Sequence, residues 1–351
     1  MIHNYQNCYG VIPPQYIYAN KRCKGVALDP PNLELGSWTG AGKALYDYER
    51  DRIILSTRPR MAEEGKRGFA VEIYSSDDGI NDFTLIKRLT KEKISDLCGM
   101  DVRSIEGNQI LKDPLTGKWF FYVSVDTASE FVWGGYYWQT LLLTADDLAG
   151  PWESQGLVLK SDRDYDKVQA RNSTIDIVDG VWYCIYKAMN EKRESKPGFA
   201  TSSDGIHWNK HGILKVDGKD QRAFLSGNIV SGSKGPMFVG VERLKGVKGD
   251  GTDNVQYADK YKVKHGSGLI RFASYYIDEV NMNLDPIFTI NWEADPEYEY
   301  EEHALLGFST LVYNPKTESI LMYVQAMDPK LTEKMGINTT VERALVYEIK
   351  I

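Results

Sequence analysis

Short apolar runs rich in aromatic and β-branched residues recur along the chain, and each one follows a tight turn. Residues of these types favour extended strands. The runs begin 66, 62, 56 and 83 residues apart, which is close to one fifth of the 351-residue chain. They are Ile53–Arg58, Trp119–Val125, Val181–Ala188, Met237–Arg243 and Ile320–Met327. The spacing predicts five similar units.

Each run is preceded by a second strand-like segment and a turn, for example Asp179-Gly180 or Asn314-Pro315. Turns of this kind between β-branched segments indicate antiparallel hairpins. After three of these hairpins, a third segment ends in an acidic, glycine-containing turn, and an aromatic residue such as Trp208 opens a fourth strand. The third strand of the fourth unit is predicted at Leu269–Ile277, and Arg343–Ile351 completes the fifth unit.

These patterns predict an all-β fold, a five-bladed β-propeller with four antiparallel strands per blade. Two domains would be usual for this length, but a closed ring of blades accommodates residues 1–351 as a single domain. The short helices are expected at Lys91–Cys98 and Pro329–Met335. The predicted blades span approximately 38–103, 104–168, 169–223, 224–300 and 301–351, with 1–37 as an N-terminal lead-in or closure strand.

Charge and hydropathy narrow the function classes. Forty-nine acidic and 42 basic residues give a formal charge of −7, which argues against a nucleic-acid partner. The sequence has no apolar run of about 18 residues and no signal-like start, so we expect no membrane association and a cytoplasmic location. Four scattered cysteines without a CxxC pair indicate reduced thiols rather than a zinc site.

The aromatic content is high, with 22 Tyr, 11 Phe and 8 Trp. Most of these rings are expected between blades, and only a few are expected to contact a ligand such as a sugar. Trp38 and Trp133 are the candidates for stacking on a sugar ring, although packing in the core is the more common role for each.

The predicted architecture also indicates where functional side chains lie. Inner strands begin at the rim of the central funnel and their partners return to it, so residues just outside each hairpin should line a site. The residues selected in this way are Trp38, Arg58, Arg60, Glu106, Arg171, Asn172, Lys187, Glu242, Arg243, His303 and Gln325. So many charges at a funnel mouth favour a polar ligand.

Several of these motifs resemble the five-bladed propeller glycosidases of glycoside hydrolase families 43, 32, 68 and 130. The similarity rests on the SSDG-x-x-W and LAGPW turns, on Glu106-Gly107 and on Arg171-Asn172-Ser173, and it extends from about Trp38 to the C-terminus. The resemblance implies a sugar substrate and catalysis by carboxyl groups. It also implies that Glu106 corresponds to the acid Glu that opens an inner strand in families 43 and 32.

The chain departs from the family pattern at two places. Asn172 stands where the resemblance implies an Asp, and Thr39–Lys43 contains no counterpart of the Asp in the first blade. Either this protein uses a different set of carboxylates, or Asn172 replaces a natural Asp in order to trap substrate. The order of the Glu and Arg-Asn motifs, second blade and then third, also differs from families 43 and 32.

Cleavage of a glycoside requires one protonated carboxyl and one ionised carboxylate. Glu106 is predicted to be the acid and Glu242 the second carboxylate, with Asp101 and Asp176 in reserve. Asp176 interrupts an apolar inner strand, so it is equally consistent with a buried acid bonded to the backbone of a neighbouring blade.

Arginines at the rim can hydrogen-bond sugar hydroxyls, a carboxylate or a phosphate, or they can pair with the rim acids. They are compatible with an acidic sugar or with phosphorolysis as in family 130. His303 is expected to line the funnel or to bind a structural ion. No cofactor or catalytic metal is predicted, with a structural Ca²⁺ or a bound phosphate as alternatives.

The predicted function is therefore an exo-acting glycoside hydrolase acting on an oligosaccharide or glycoside. The alternatives are a glycoside phosphorylase and a non-catalytic sugar-binding propeller. The sugar, the linkage, the stereochemical outcome and the oligomeric state stay open at this point.

Overall fold

The computed structural model describes residues 12–63, 66–127, 137–245, 269–292, 304–332 and 340–351. Within these residues the fold is mostly β, with two short helices, α1 (Pro14–Ala19) and α2 (Lys91–Cys98). Helix α2 has the predicted bounds. The Thr90 hydroxyl caps its N-terminus, and Gly99 ends it with φ 69°. Of the second predicted helix, residues 329–331 form a turn and the remainder falls mostly outside the described residues.

The strands form antiparallel meanders of four, which are numbered here as units in chain order. Unit 1 contains β2 (Ala41–Asp47), β3 (Arg52–Thr57), β4 (Ala70–Ser76) and β5 (Thr84–Thr90). Unit 2 contains β6 (Ser104–Lys112), β7 (Trp119–Asp126), β8 (Trp138–Ala145) and β9 (Glu153–Leu159). Unit 3 contains β10 (Gln169–Val178), β11 (Val181–Met189), β12 (Ser195–Ser202) and β13 (Asn209–Ile213). A single parallel pair, Gln169 with Trp138, joins units 2 and 3 into one hydrogen-bonded sheet.

The last two units close the arrangement. Unit 4 contains β15 (Arg222–Gly232), β16 (Gly235–Lys245), β17 (Leu269–Asp278) and β18 (Asn283–Asn291), with the two-residue strand β14 (Lys215–Val216) added at its edge. Unit 5 contains β19 (Ala304–Asn314), β20 (Ser319–Met327) and β21 (Glu342–Lys350), and its outer strand is β1 (Arg22–Leu28) from the start of the chain. The N-terminal segment therefore supplies a strand that covers the edge of the last unit.

The first strand of each unit contacts the first strands of its two neighbours, so β2, β6, β10, β15 and β19 form a closed ring. Apolar clusters fill the spaces between adjacent units. Phe120 of unit 2 stacks on Trp182 of unit 3 with ring centroids 5.2 Å apart, and Leu55 of unit 1 packs with Tyr323 of unit 5. Many of the aromatic residues are thus needed between units, as expected from their number.

Polar side chains of the inner strands link one unit to the next by accepting backbone N–H groups. Gln109 accepts from Ile175 at 3.3 Å, Asp176 from Ile229 at 2.7 Å, Asn228 from Leu311 at 2.7 Å and Thr310 from Ala44 at 3.1 Å. Inner-strand N–H groups that face the axis have no strand partner on that side. These bonds satisfy them and hold the units in register.

Candidate active site

Two of the predicted site residues lie where inner strands depart from regular pairing. The pairing of β6 with β7 skips Glu106 and Gly107, and the pairing of β10 with β11 skips Asn172 and Ser173. Such bulges redirect side chains away from the sheet. Asn172 adopts φ 49°, its side-chain oxygen accepts from the Gly107 N–H at 3.0 Å, and its own N–H donates to the Ser124 hydroxyl at 2.9 Å. Asn172 therefore connects the two bulges.

A short segment before β2 joins the first and last units at the rim. The Trp38 N–H donates to the carbonyl of Arg60 at 3.0 Å, and the Arg60 N–H donates back at 3.0 Å. On the other side, the Thr39 N–H donates to the carbonyl of Glu342, and the Glu342 N–H donates to that of Ser37, each at 3.0 Å. Chain segments that are far apart in sequence thus meet at one part of the rim.

Glu106 lies among three guanidinium groups. Arg58 Nη2 donates to Glu106 Oε2 at 3.0 Å, while Arg171 Nη1 and Arg67 Nη2 lie 3.5 and 3.9 Å from Oε1. Arg58 and Arg171 are nearly buried, and 14% of the Glu106 side chain is exposed. Arg67 is 22% exposed, so solvent reaches this group past Arg67 and Glu106.

The charges around Glu106 decide its protonation state. Burial alone would raise the pKa of this carboxyl, but Arg58, Arg171, Arg67 and Lys187 together lower it to about 2. A group with this pKa is ionised near neutral pH and is a poor proton donor. The surroundings thus conflict with the acid role predicted for Glu106 and suit a base or nucleophile.

Two arginines at the rim lie over indole rings. The guanidinium carbon of Arg60 is 4.2 Å from the centroid of the Trp38 ring, and that of Arg171 is 4.5 Å from that of Trp138. Burial and the nearby charges of Arg58 and Arg67 lower the pKa of Arg60 to about 10, so it still carries its charge at neutral pH. The Trp38 ring is thus in contact with a guanidinium and is also held by a hydrogen bond from its Nε1 to Thr340.

Glu342, at the start of β21, is a second carboxyl group at this rim. Its side chain is buried, and it accepts hydrogen bonds from the Thr340 hydroxyl at 3.0 Å and from Gln325 Nε2. Burial raises the pKa of Glu342 to about 7, although these hydrogen bonds and the charges of Arg58 and Arg60 act in the opposite direction. Glu342 is therefore protonated in a large fraction of molecules at neutral pH.

Sequence reasoning did not select Glu342 or Arg67, because it considered only the ends of the first hairpin in each unit. Arg67 lies in the segment between β3 and β4, which docks on β6 through a bond from the Ile105 N–H to the carbonyl of Gly68. Glu342 opens the third strand of unit 5, and its partner in β20 is Met327 at the end of the returning strand. Extending the same position rule to third strands would have found Glu342.

Glu242 lies in a different environment from the one predicted. Its side chain is completely buried, accepts from Arg271 Nε at 2.6 Å and from the Tyr275 hydroxyl at 2.7 Å, and belongs to the face of unit 4 that packs on unit 3. Burial is the largest influence on its pKa and raises it. This enclosure against Arg271 and Tyr275 argues against contact of Glu242 with a substrate, and its assignment as the second carboxylate stays a prediction.

The other predicted binding residues occupy the rim in varied ways. Lys187 is half-buried, and it lies directly opposite Arg171 in the register of β10 with β11. Arg243 is half-buried, and its guanidinium lies 5.7 Å from the centroid of the Phe224 ring. Burial lowers the pKa of Arg243, and the charge of Glu342 opposes this shift. Gln325 is buried and acts through Glu342.

The two reserve acids are not part of this rim group. Asp176 forms a buried ion pair of 2.6 Å with Lys43 and accepts from the backbone of unit 4, which agrees with the alternative that it is a buried structural acid. Asp101 is 78% exposed and pairs with Arg103 at 3.3 Å. His303 and Trp133 lie outside the described residues.

The described residues contain no cluster of three or more His, Cys, Asp or Glu side chains arranged to hold a metal ion. Over the same residues, no helix combines the length and the apolar character needed to span a membrane. The cysteines that can be assigned, Cys23, Cys98 and Cys184, are all free.

No family model and no curated protein matches the chain. Several solved structures match it in fold. The family 117 glycoside hydrolase Zg3597 of Zobellia galactanivorans has a TM-score of 0.58 at 11% identity, covering 93% of this chain and 90% of the other. A glycosyl hydrolase from Bacteroides ovatus has a TM-score of 0.54 at 12% identity, covering 98% and 93%. The family 32 β-fructofuranosidase BmSUC1 of Bombyx mori has a TM-score of 0.57 at 12% identity, covering 96% and 65%.

Structures associated with families 43 and 130 are also similar. The resemblance to propeller glycosidases is therefore confirmed for the fold, and the family stays unassigned. At 11 to 12% identity these matches carry no information about the reaction or the substrate of this chain.

Proposed function

We propose that the five units are the blades of one propeller and that the chain is a glycoside hydrolase acting at the rim of its funnel. The closed ring of inner strands and the apolar clusters between neighbouring units support five blades. The similarity to solved glycoside hydrolases supports a carbohydrate substrate as an analogy of fold.

The observation that carries the proposal is a pair of rim carboxyl groups with opposite protonation preferences. The pKa of Glu342 is raised to about 7 and that of Glu106 is lowered to about 2, and the charge of Arg58 acts on both. Hydrolysis of a glycoside needs one carboxylic acid to protonate the leaving oxygen and one carboxylate to activate water or attack the anomeric carbon. Glu342 is suited to the first role and Glu106 to the second.

The surroundings of Glu342 and Glu106 explain why one is suited to the acid role and the other to the carboxylate role. Glu342 is removed from water and bonded to the neutral donors Thr340 and Gln325, which do not force it to ionise. Glu106 receives positive charge from three guanidinium groups within 4 Å. Arg58 is placed to stabilise the negative charge that Glu342 acquires after it has donated its proton.

The experiment is a comparison of leaving groups. The chain is first screened against nitrophenyl glycosides, and Glu342→Gln and Glu106→Gln are then assayed on alkyl and 2,4-dinitrophenyl glycosides of the accepted sugar. Loss of the general acid should reduce kcat about 10²- to 10⁴-fold on alkyl glycosides and much less on dinitrophenyl glycosides, whose leaving group needs no proton. Loss of Glu106 should reduce turnover of both.

Glu153→Gln, an exposed change on β9, is the matched control and should retain full activity. Equal losses on both leaving groups in Glu342→Gln would remove Glu342 from the acid role. Full activity in Glu106→Gln would remove Glu106 from the mechanism.

Two further candidates are tested by the same screen. The arginines at the rim favour a glycoside phosphorylase, for which turnover should increase when inorganic phosphate is added. Asn172 and the absence of a carboxylate in Thr39–Lys43 favour a non-catalytic sugar-binding propeller. Absence of turnover in both the natural chain and Asn172→Asp, with sugar binding retained, would contradict the enzyme proposal.

A further inference from the structure

A group of five cationic side chains, called here the basic cluster, surrounds Glu106 and consists of Arg58, Arg60, Arg67, Arg171 and Lys187. The members come from units 1 and 3, three from the segment between β3 and β4 and two from near the ends of β10 and β11. The chain as a whole carries a formal charge of −7. The basic cluster is thus a local concentration of positive charge in an acidic protein.

Glu106 does not satisfy every hydrogen-bond donor of Arg58 and Arg171. It forms a close contact with Arg58, whereas Arg171 Nη1 at 3.5 Å and Arg67 Nη2 at 3.9 Å do not make hydrogen bonds to it. Arg58 Nε and Arg171 Nη1 are buried and have no hydrogen-bond partner among the described residues. Buried donors of this kind are uncommon and costly, and they indicate a place for an acceptor.

The cations also destabilise one another. The charges of Arg58 and Arg67 contribute to lowering the pKa of Arg60, and the same two residues contribute to lowering that of Arg171. A second negative charge among them would relieve this repulsion. A guanidinium binds the planar oxygens of a carboxylate, or the oxygens of a phosphate, with two parallel hydrogen bonds.

We propose that the basic cluster binds an oxyanion carried by the sugar, so that the site takes an acidic glycoside rather than a neutral one. This inference rests on the proposed carbohydrate-binding function and specifies its substrate class. The half-buried members, Arg67 and Lys187, lie with Glu106 and Asn172 on the accessible side of the group, and a ligand reaches the arginines from there. A sugar carboxylate would occupy the position between Arg67 and Arg171, next to the reacting carboxylate Glu106.

The same donors would also bind free phosphate, so the experiment distinguishes an oxyanion carried by a sugar from free phosphate. Dissociation constants are measured by titration calorimetry on the full chain with 4-nitrophenyl glucuronide and galacturonide, with the matching glucoside and galactoside, and with inorganic phosphate alone. At least one acidic glycoside should bind about tenfold or more tightly than its neutral counterpart, as one hydrogen bond to a charged group provides. Its binding should also weaken as sodium chloride is raised, unlike that of the neutral sugar.

Substitutions identify the binding group. Arg171→Gln and Arg67→Gln should each weaken binding of the acidic glycoside about tenfold or more and change binding of the neutral one less than about threefold. Arg163→Gln removes one positive charge from an exposed position and is the matched control, with no expected effect on either. Two variants are used so that one misfolded protein does not decide the result.

Equal affinity for acidic and neutral glycosides would overturn the proposal, as would an equal loss for both in Arg171→Gln and Arg67→Gln. Tight binding of phosphate without preference for an acidic glycoside would also overturn it and would assign the cluster to a free anion. These readouts are binding equilibria, so they are independent of turnover. Failure of the hydrolase proposal with retention of the acidic preference is therefore distinguishable from failure of this inference.

Discussion

The buried ion pair between Lys43 and Asp176 joins the inner strands of units 1 and 3 and offers a quantitative test of the fold. Lys43 Nζ lies 2.6 Å from Asp176 Oδ1 and donates to the carbonyl of Ile175 at 3.0 Å, and the two side chains are 2% and 1% exposed. Burial lowers the pKa of Lys43 and raises that of Asp176. Each charge thus depends on the other for compensation.

Replacing Lys43 with Met leaves the Asp176 carboxylate buried without its cation. Breaking a buried pair in this way costs about 3–5 kcal/mol. An unfolding entropy of about 2.1 cal/mol/K per residue, taken over 351 residues, gives about 0.7 kcal/mol/K. The expected fall in Tm for Lys43→Met is therefore about 4–7 °C near neutral pH, measured by differential scanning calorimetry.

The sign of the pH dependence follows from the pKa of Asp176. Without Lys43 its folded-state pKa rises further above the unfolded value, so the lost stability returns as the pH falls through that raised pKa. The gap in Tm between Lys43→Met and the natural chain should therefore be smaller at pH 5 than at pH 8. Lys219→Met, which removes an exposed lysine, should change stability by less than about 0.5 kcal/mol.

The double variant Lys43→Met with Asp176→Asn separates charge from packing. The amide oxygen at position 176 can still accept from the Ile229 N–H, and no unpaired charge is left. Its stability should recover to within about 2 kcal/mol of the natural chain. A decrease in Tm of less than about 1 °C in the single variant would refute the reasoning and the placement of these two strands. No recovery of stability in the double variant would do the same.

Three further outcomes are expected. Activity should fall above about pH 7 as Glu342 loses the proton it donates, and a pH profile of kcat/KM with no alkaline limb there would contradict this. Gly205→Ala should destabilise by at least about 1 kcal/mol, because Gly205 has φ 72° and an added Cβ would lie 2.7 Å from the Tyr122 hydroxyl; an unchanged denaturant midpoint would argue against that contact. Glu242→Gln should lower Tm by weakening the pair with Arg271 and leave KM unchanged, and a rise in KM with unchanged Tm would return Glu242 to the site.

The strands could be predicted from the sequence because each one is a local pattern. The runs Trp119–Val125 and Val181–Ala188 became β7 and β11 with bounds shifted by no more than one residue. The predicted third strand at Leu269–Ile277 is β17, which ends one residue later. The alternation of side chains along a strand and the turn residues at its ends are properties of a few neighbouring residues. The strands could therefore be predicted without knowledge of long-range contacts.

Placement of Arg58 and Glu106 at the rim was also accessible from sequence. Both follow from their position relative to a strand end, and the structure brings them to within 3.0 Å of each other. Their pairing was anticipated only as one alternative among several, because no single segment of the sequence encodes which units lie next to each other.

Burial and protonation were decided by the tertiary structure. Glu242 and Glu342 are both glutamates near strand ends in sequence, yet one is enclosed against Arg271 and the other lies at the rim beside the segment that contains Trp38. A pKa depends on solvent exclusion and on charges a few ångströms away, and those charges come from segments up to about 300 residues distant. The sequence by itself therefore determined the strands, the turns and the candidate charges, whereas closure of the ring decided which carboxyl group keeps its proton.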